Sequence, residues 1–209
     1  MTHPAIEYIN PLLPHNAVAK NIVSQDRLTA VILNNWLLIT VYMPCAGTAQ
    51  RDLLYDDVLY ELQALINQYP SCDCLIGGNF NVDLDNGITI SRTVNDFIYK
   101  NKLHRCDQIT PMGNKMTYVN ESTNVCSAID YMLSSSHDKI VAFNILDLDI
   151  NFSDHLPLMV SVVVICQLHQ QIMVICTIHL IPCISRGTMH RYIYVMNILD
   201  CSFSLCLKS

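Results

Sequence analysis

Two short apolar runs, LTAVIL at 28–33 and LLITVYM at 37–43, are rich in β-branched residues and flank Asn34-Asn35. This pattern predicts two strands joined by a tight turn. Pro44 and Gly47 then interrupt it. From 51 to 69 the period changes. Leu54, Val58, Leu62 and Ile66 recur at every fourth position, and Leu59 and Leu65 widen the stripe. That spacing predicts an amphipathic helix whose apolar face packs on a core. Asp52, Asp56 and Asp57 sit near its start, where negative charge suits the helix dipole, and Pro70 follows its end. A brief strand is expected at 74–76, running into Gly77-Gly78. A second helix is expected at 92–101, with Val94, Phe97 and Ile98 on one face. Further strands are expected at 116–119, 128–133, 140–148 and 158–164. Strands alternating with helices and then following one another predict an α/β fold built as a layered sandwich.

Composition narrows the options. The 209 residues fit one domain, and at 51% hydrophobic and 14% charged they can fill a core. Whole-chain disorder is excluded. The net charge of -6 argues against a generic electrostatic nucleic-acid binder. A metal-dependent phosphodiesterase escapes that objection, because its site needs carboxylates to hold the cation. The charge is uneven: 1–162 holds nine basic and 17 acidic residues, whereas 163–209 holds three basic and one acidic, with five of the ten cysteines. The opening MTHPAIEYINPLLPHN has no basic stretch followed by an apolar run, so reduced thiols in a nuclear or cytoplasmic setting are expected. Cys72 and Cys74 have no matching pair at zinc spacing and read as ordinary thiols. The apolar runs at 158–165 and 172–184 are broken by Gln167, His179 and Pro182 and fall short of the ~18–20 residues of a spanning helix, so no membrane span is expected.

Three segments carry candidate chemistry. Gly77-Gly78-Asn79-Phe80-Asn81-Val82-Asp83 follows directly on a strand, where open α/β sheets place polar groups in a crevice. Ser127-Ala128-Ile129-Asp130-Tyr131 puts a carboxylate inside an apolar strand, where it needs a partner. Phe152-Ser153-Asp154-His155-Leu156-Pro157 sets an acid beside a histidine, a pairing that suits hydrolysis. Taken singly, each has a bland reading: a turn, a satisfied core carboxylate, a solvated loop.

In this order, the segments resemble the endonuclease/exonuclease/phosphatase superfamily, and within it the apurinic-type endonuclease domain of LINE-like (non-LTR) retrotransposons. Asp26-Arg27-Leu28 before one strand and Val41-Tyr42-Met43-Pro44 at the end of the next are similar too. The resemblance runs from about Gln25 to Val163. It implies a four-layer sandwich of two β-sheets flanked by helices, here a partial one, and Mg²⁺- or Mn²⁺-dependent hydrolysis of phosphate esters, with DNA as the partner. It implies roles for His155 at the scissile phosphate, Asp130 orienting that histidine, and Asp154 in the metal site. Asn81 is implied to hydrogen-bond the phosphate or nucleophile, with Tyr42 nearby.

Two departures bear on activity. Asn79 stands where the superfamily carries an aspartate, and an amide cannot take a proton from water at neutral pH. Glu7 is the sole glutamate in the 41 residues before Tyr42, and Ala5-Ile6-Glu7-Tyr8-Ile9 does not match the superfamily's metal-binding glutamate. The expected organisation is therefore a non-matching segment at 1–24, an incomplete domain truncated at its N-terminus at 25–164, and an unrelated Cys/Ile-rich tail at 165–209 that packs poorly. The expected function is that of a metal-dependent phosphodiester hydrolase of retrotransposon origin, impaired or inactive, with weak metal binding. An active phosphoesterase and a non-catalytic interaction module are the alternatives.

Overall fold

A computed structural model describes residues 19–109, 116–120, 122–147, 153–168, 170–183 and 191–197. The hairpin forms where the apolar runs place it. β2 (Leu28–Leu33) and β3 (Trp36–Tyr42) pair antiparallel about Asn34-Asn35, with Asn34 at φ 52°, a left-handed conformation that asparagine tolerates. β1 (Ala19–Ser24), which has no clear apolar alternation, adds to the outer side of β2. The four-residue period becomes α1 (Arg51–Gln68), with Tyr55, Val58, Leu59, Leu62 and Leu65 buried.

The strand expected at 74–76 is longer. β4 (Asp73–Asn79) takes in both glycines and pairs parallel with β3. Gly78 sits opposite Val41 at φ 148°, and a Cβ there would overlap the Val41 carbonyl oxygen. Glycine marks a close backbone approach at this position, whereas the pattern alone reads as a turn. α2 (Thr89–Lys100) begins three residues before its expected start and buries Val94, Phe97 and Ile98.

After β5 (His104–Arg105) and the four-residue α3 (Cys106–Ile109), the strand expected at 128–133 starts two residues later, at Asp130, and a short strand not expected from the pattern precedes it. β7 (Val125–Ser127) pairs with β6 (Tyr118–Asn120) in a separate ribbon, and β8 (Asp130–Ser134) joins the main sheet. The break falls where the N–H groups of Ile129 and Asp130 leave the ladder to donate to Thr117 Oγ1, at 3.0 and 2.9 Å. The first sheet has the order β1-β2-β3-β4-β8-β5.

The second sheet holds β9 (Ile140–Ile145), β10 (Leu158–Leu168), β11 (Gln170–Cys183) and β12 (Arg191–Asn197), all antiparallel. Its last two strands lie in the stretch whose lack of period suggests poor packing. They pair instead, and Thr177 and Ile178 are buried. Runs such as IMVICTIHLI can hydrogen-bond as strands without alternation when no polar face is required. The apolar run at 158–165 and that from 172 as far as Cys183 thus supply strands, and among the described residues no helix is long and apolar enough to cross a membrane.

Period-two alternation sorts the first sheet's side chains into two cores. Leu37, Ile39, Val41, Cys74, Ile76, Tyr131 and Leu133 pack with α1 and α2. Trp36, Leu38, Leu75 and Met132 pack with Phe143, Leu158, Val160, Val162, Val164 and Ile178 of the second sheet. The result is a helix layer over two stacked sheets, with no helix on the second sheet's outer face among the described residues. At one edge Asp73 accepts from Asn35 Nδ2 at 2.8 Å, Lys139 Nζ at 2.6 Å and the Ser136 hydroxyl, fixing the start of β4. The opposite edge holds the candidate site.

Candidate active site

β4 is the strand at which parallel pairing gives way to antiparallel. It runs parallel with β3 on one side and antiparallel with β8 on the other. Tyr42, Asn79 and Asp130 therefore face one another across three adjacent strands at the carboxyl ends of β3 and β4. This is the edge at which open α/β sheets place ligand crevices.

Past β4 the chain turns sharply. Asn81 adopts φ 50°, and its N–H donates to Asn79 Oδ1 at 2.6 Å. The Asn81 side-chain amide donates to the Met43 carbonyl at 2.7 Å, beside Tyr42. Phe80 between them is fully buried, its N–H bonded to Ile129 O at 2.7 Å and its carbonyl to the Tyr55 hydroxyl. Burial drives the Tyr55 pKa up to about 12, against the lowering influence of Arg51, so Tyr55 stays a neutral donor.

His155 and Asp130 form a buried dyad. The imidazole Nδ1 lies 3.1 and 2.9 Å from the two carboxylate oxygens, and the residues are 5% and 2% exposed. A carboxylate can only accept, so Nδ1–H donates, which places the other ring position, Nε2, on the side of the imidazole away from Asp130. Burial pulls the His155 pKa down. The hydrogen bond and charge of Asp130, with the charge of Asp154, outweigh it and leave the histidine above its ordinary value. The Tyr118 ring meets the imidazole edge-on at 5.0 Å, and Tyr118 bridges His155 through the backbone. Thr117 ties both halves of the dyad together: its hydroxyl receives Asp130 N–H and its carbonyl receives Leu156 N–H at 2.7 Å.

The structure places six of the residues singled out in the sequence. Tyr42, Asn79 and Asp130 share one row, Asn81 follows Asn79, and His155 contacts Asp130. Asp154 is exposed next to it, its carbonyl held by Val119 N–H at 2.8 Å. Phe152 and Glu7 lie outside the described residues. Sequence reading missed Thr117, Arg51 and Tyr55. Their contacts to the site are with backbone groups of distant segments, Asp130 N–H for Thr117, Asn81 O for Arg51 and Phe80 O for Tyr55, which leave no local signature.

The donor set fits a tightly held hard cation poorly. Mg²⁺ takes six oxygens and usually one or two carboxylates. Among the described residues no group of three or more His, Cys, Asp or Glu could hold a metal ion. Asp130 is turned to His155, Asp83 Oδ1 accepts from Asp85 N–H, and Asp85 is paired with Arg105 at 2.6 Å. Asp154 then stands beside the neutral amides of Asn79 and Asn81.

No family model matches the chain, and no curated protein does either. Solved structures do. A 3′ phosphatase, NExo from Neisseria bound to product DNA hairpin, superposes with a TM-score of 0.55 at 14% identity, over 72% of this chain and 71% of that one. An endonuclease/exonuclease/phosphatase family protein from Leptotrichia buccalis gives a TM-score of 0.50 at 15% identity, over 65% of this chain and 52% of that one. With its helix layer, its two stacked sheets and these likenesses, the chain has the endonuclease/exonuclease/phosphatase fold.

Proposed function

We propose that this chain is a phosphodiesterase-type domain of retrotransposon origin that engages DNA phosphates and hydrolyses them feebly or not at all. The observation that carries this reading is the His155–Asp130 dyad beside Asn79, at the sheet edge where the superfamily would place an aspartate. The dyad supports phosphate contact. A carboxylate-backed imidazole is favoured in its protonated form, and Nε2–H can donate to a phosphate oxygen or to a leaving oxygen. Asn79 supports the loss of rate. Its side-chain oxygen already accepts from Asn81 N–H, and an amide has no basic site for a water proton. Losing a positioned general base commonly costs ~10²–10⁴-fold. The retrotransposon origin rests on the ordered match of the three motifs. The net charge of -6 implies that any DNA affinity comes from a few local contacts, with a shallow salt dependence.

The test uses two assays on the full chain: nicking of supercoiled plasmid with Mg²⁺ or Mn²⁺, and binding of a DNA hairpin bearing a 3′-phosphate. We expect background nicking together with hairpin binding that His155→Ala weakens. Robust nicking abolished by His155→Ala would make the chain an active phosphoesterase. Absence of hairpin binding would remove the DNA reading and favour an interaction module.

A further inference from the structure

α1 opens on a residue that its own helix does not favour. Arg51 is the first helical position, where the macrodipole is positive and a cation is disfavoured, and the preceding Gln50 makes no side-chain cap. Such local conflicts gather where a residue serves something beyond its own element. The guanidinium reaches away from the helix. Its Nε donates to the Pro44 carbonyl at 3.1 Å and its Nη2 to the Asn81 carbonyl at 2.6 Å. One turn on, Tyr55 lies under it, with Cζ 5.3 Å from the ring centroid and Nη2 3.4 Å from the hydroxyl. The Tyr55 hydroxyl in turn holds the carbonyl of Phe80. The first two turns of α1 therefore grip two site segments at once: the one after β3, through Pro44, and the one after β4, through Phe80 and Asn81.

We propose that Arg51, braced by Tyr55, is a positioning residue that sets Asn81. It holds the Asn81 backbone in the left-handed turn and presses the side-chain amide against Met43 O, beside Tyr42. The inference rests on the proposed reading of this edge as a phosphate site. A free Asn81 would sample several conformers, and sites of this kind tolerate errors of only ~0.5 Å. Lysine cannot replace arginine here. It is a point charge without the planar fork that reaches two carbonyls and a hydroxyl.

The experiment is ¹⁵N NMR of the Asn81 side-chain NH₂, assigned by its loss in Asn81→Asp, together with titration of the 3′-phosphate hairpin. Arg51→Lys should move or broaden the Asn81 amide pair and weaken hairpin binding about tenfold, the effect of one lost hydrogen bond to a charged group. Tyr55→Phe should give a smaller change in the same direction. Adding millimolar methylguanidinium to Arg51→Ala should return the Asn81 pair toward its wild-type position, and ammonium should not. If Arg51→Ala fails to fold, the lysine variant carries the test. A folded Arg51→Lys with unchanged Asn81 signals and hairpin affinity would overturn the proposal, whatever its melting temperature, since a merely structural arginine would lower stability alone. The NMR arm needs neither binding nor hydrolysis. A shifted Asn81 pair without hairpin binding in any variant would uphold the positioning role and sink the phosphate reading.

Discussion

Replacing Gly78 with alanine perturbs a point where two backbones meet without side-chain space. The added Cβ would overlap the Val41 carbonyl oxygen, with the Val41 carbonyl carbon and nitrogen close behind. Because these are backbone atoms of a central strand, no rotamer change relieves the clash. Holding an L residue at φ 148° costs ~1–3 kcal/mol. Forcing a packed interface apart by a methyl group costs ~1–3 kcal/mol more. Together the loss is about 2–6 kcal/mol, a large share of the ~5–15 kcal/mol that stabilises an ordinary domain. Trp36 reports on it directly. It is the sole tryptophan, 1% exposed, and pairs with Asp73 at the other end of the same β3–β4 ladder. Urea unfolding followed by its fluorescence should give a midpoint lowered by that loss divided by the m-value, with a similar m-value. A Gly78→Ala chain within about 1 kcal/mol of wild type would refute the close-approach argument.

Other consequences are open to measurement. His155 has a folded pKa above its ordinary 6.5, so the dyad's contribution to stability is complete below that value and fades as pH rises through the folded pKa. Asp130→Asn should flatten this dependence, and equal pH profiles for the two chains would count against a charged dyad. Ile178→Ala removes a buried contact between the sheets and should cost ~2–5 kcal/mol, whereas a loss under ~0.5 kcal/mol would mean that β11 contributes nothing to the core. Asn79→Asp alone should raise Mg²⁺-dependent nicking by less than ~10²-fold, because among the described residues no group of three or more His, Cys, Asp or Glu could hold a metal ion; a larger gain would show the donor set to be sufficient.

Legibility in the sequence followed the range of the forces involved. The β2–β3 hairpin and α1 were readable because a turn signal and a four-residue period are local. β4 was cut short, since Gly77-Gly78 weakens a strand pattern, and the reason for glycine lies on another strand, at Val41. The break between β7 and β8 was hidden because the competing acceptor is Thr117, more than ten residues away. β11 and β12 were missed because a long apolar run without alternation gives no period to read. Six candidate residues could be named because order and spacing preserve motifs across a fold. Arg51, Tyr55 and Thr117 could not, since the site groups they hold are main-chain atoms that any residue could provide.

The place of β4 in the first sheet also bears on how the chain reaches this state. β2–β3 and β10–β11 close over two-residue and similarly short connections, which form within microseconds. β4 must instead find β3 across the whole of α1, and β8 more than fifty residues later, as in the Cys74 N–H to Ser135 Oγ bond spanning 61 positions. Loop-closure entropy sets such contacts late in the search. Tyr42, Asn79 and Asp130 line up only when β4 has docked on both neighbours, so the candidate site is expected to assemble after the β2–β3 hairpin and to open before it. Substitutions in the β2–β3 hairpin should then slow folding, whereas those at Gly77, Asn79 or Asp130 should act mainly by speeding unfolding.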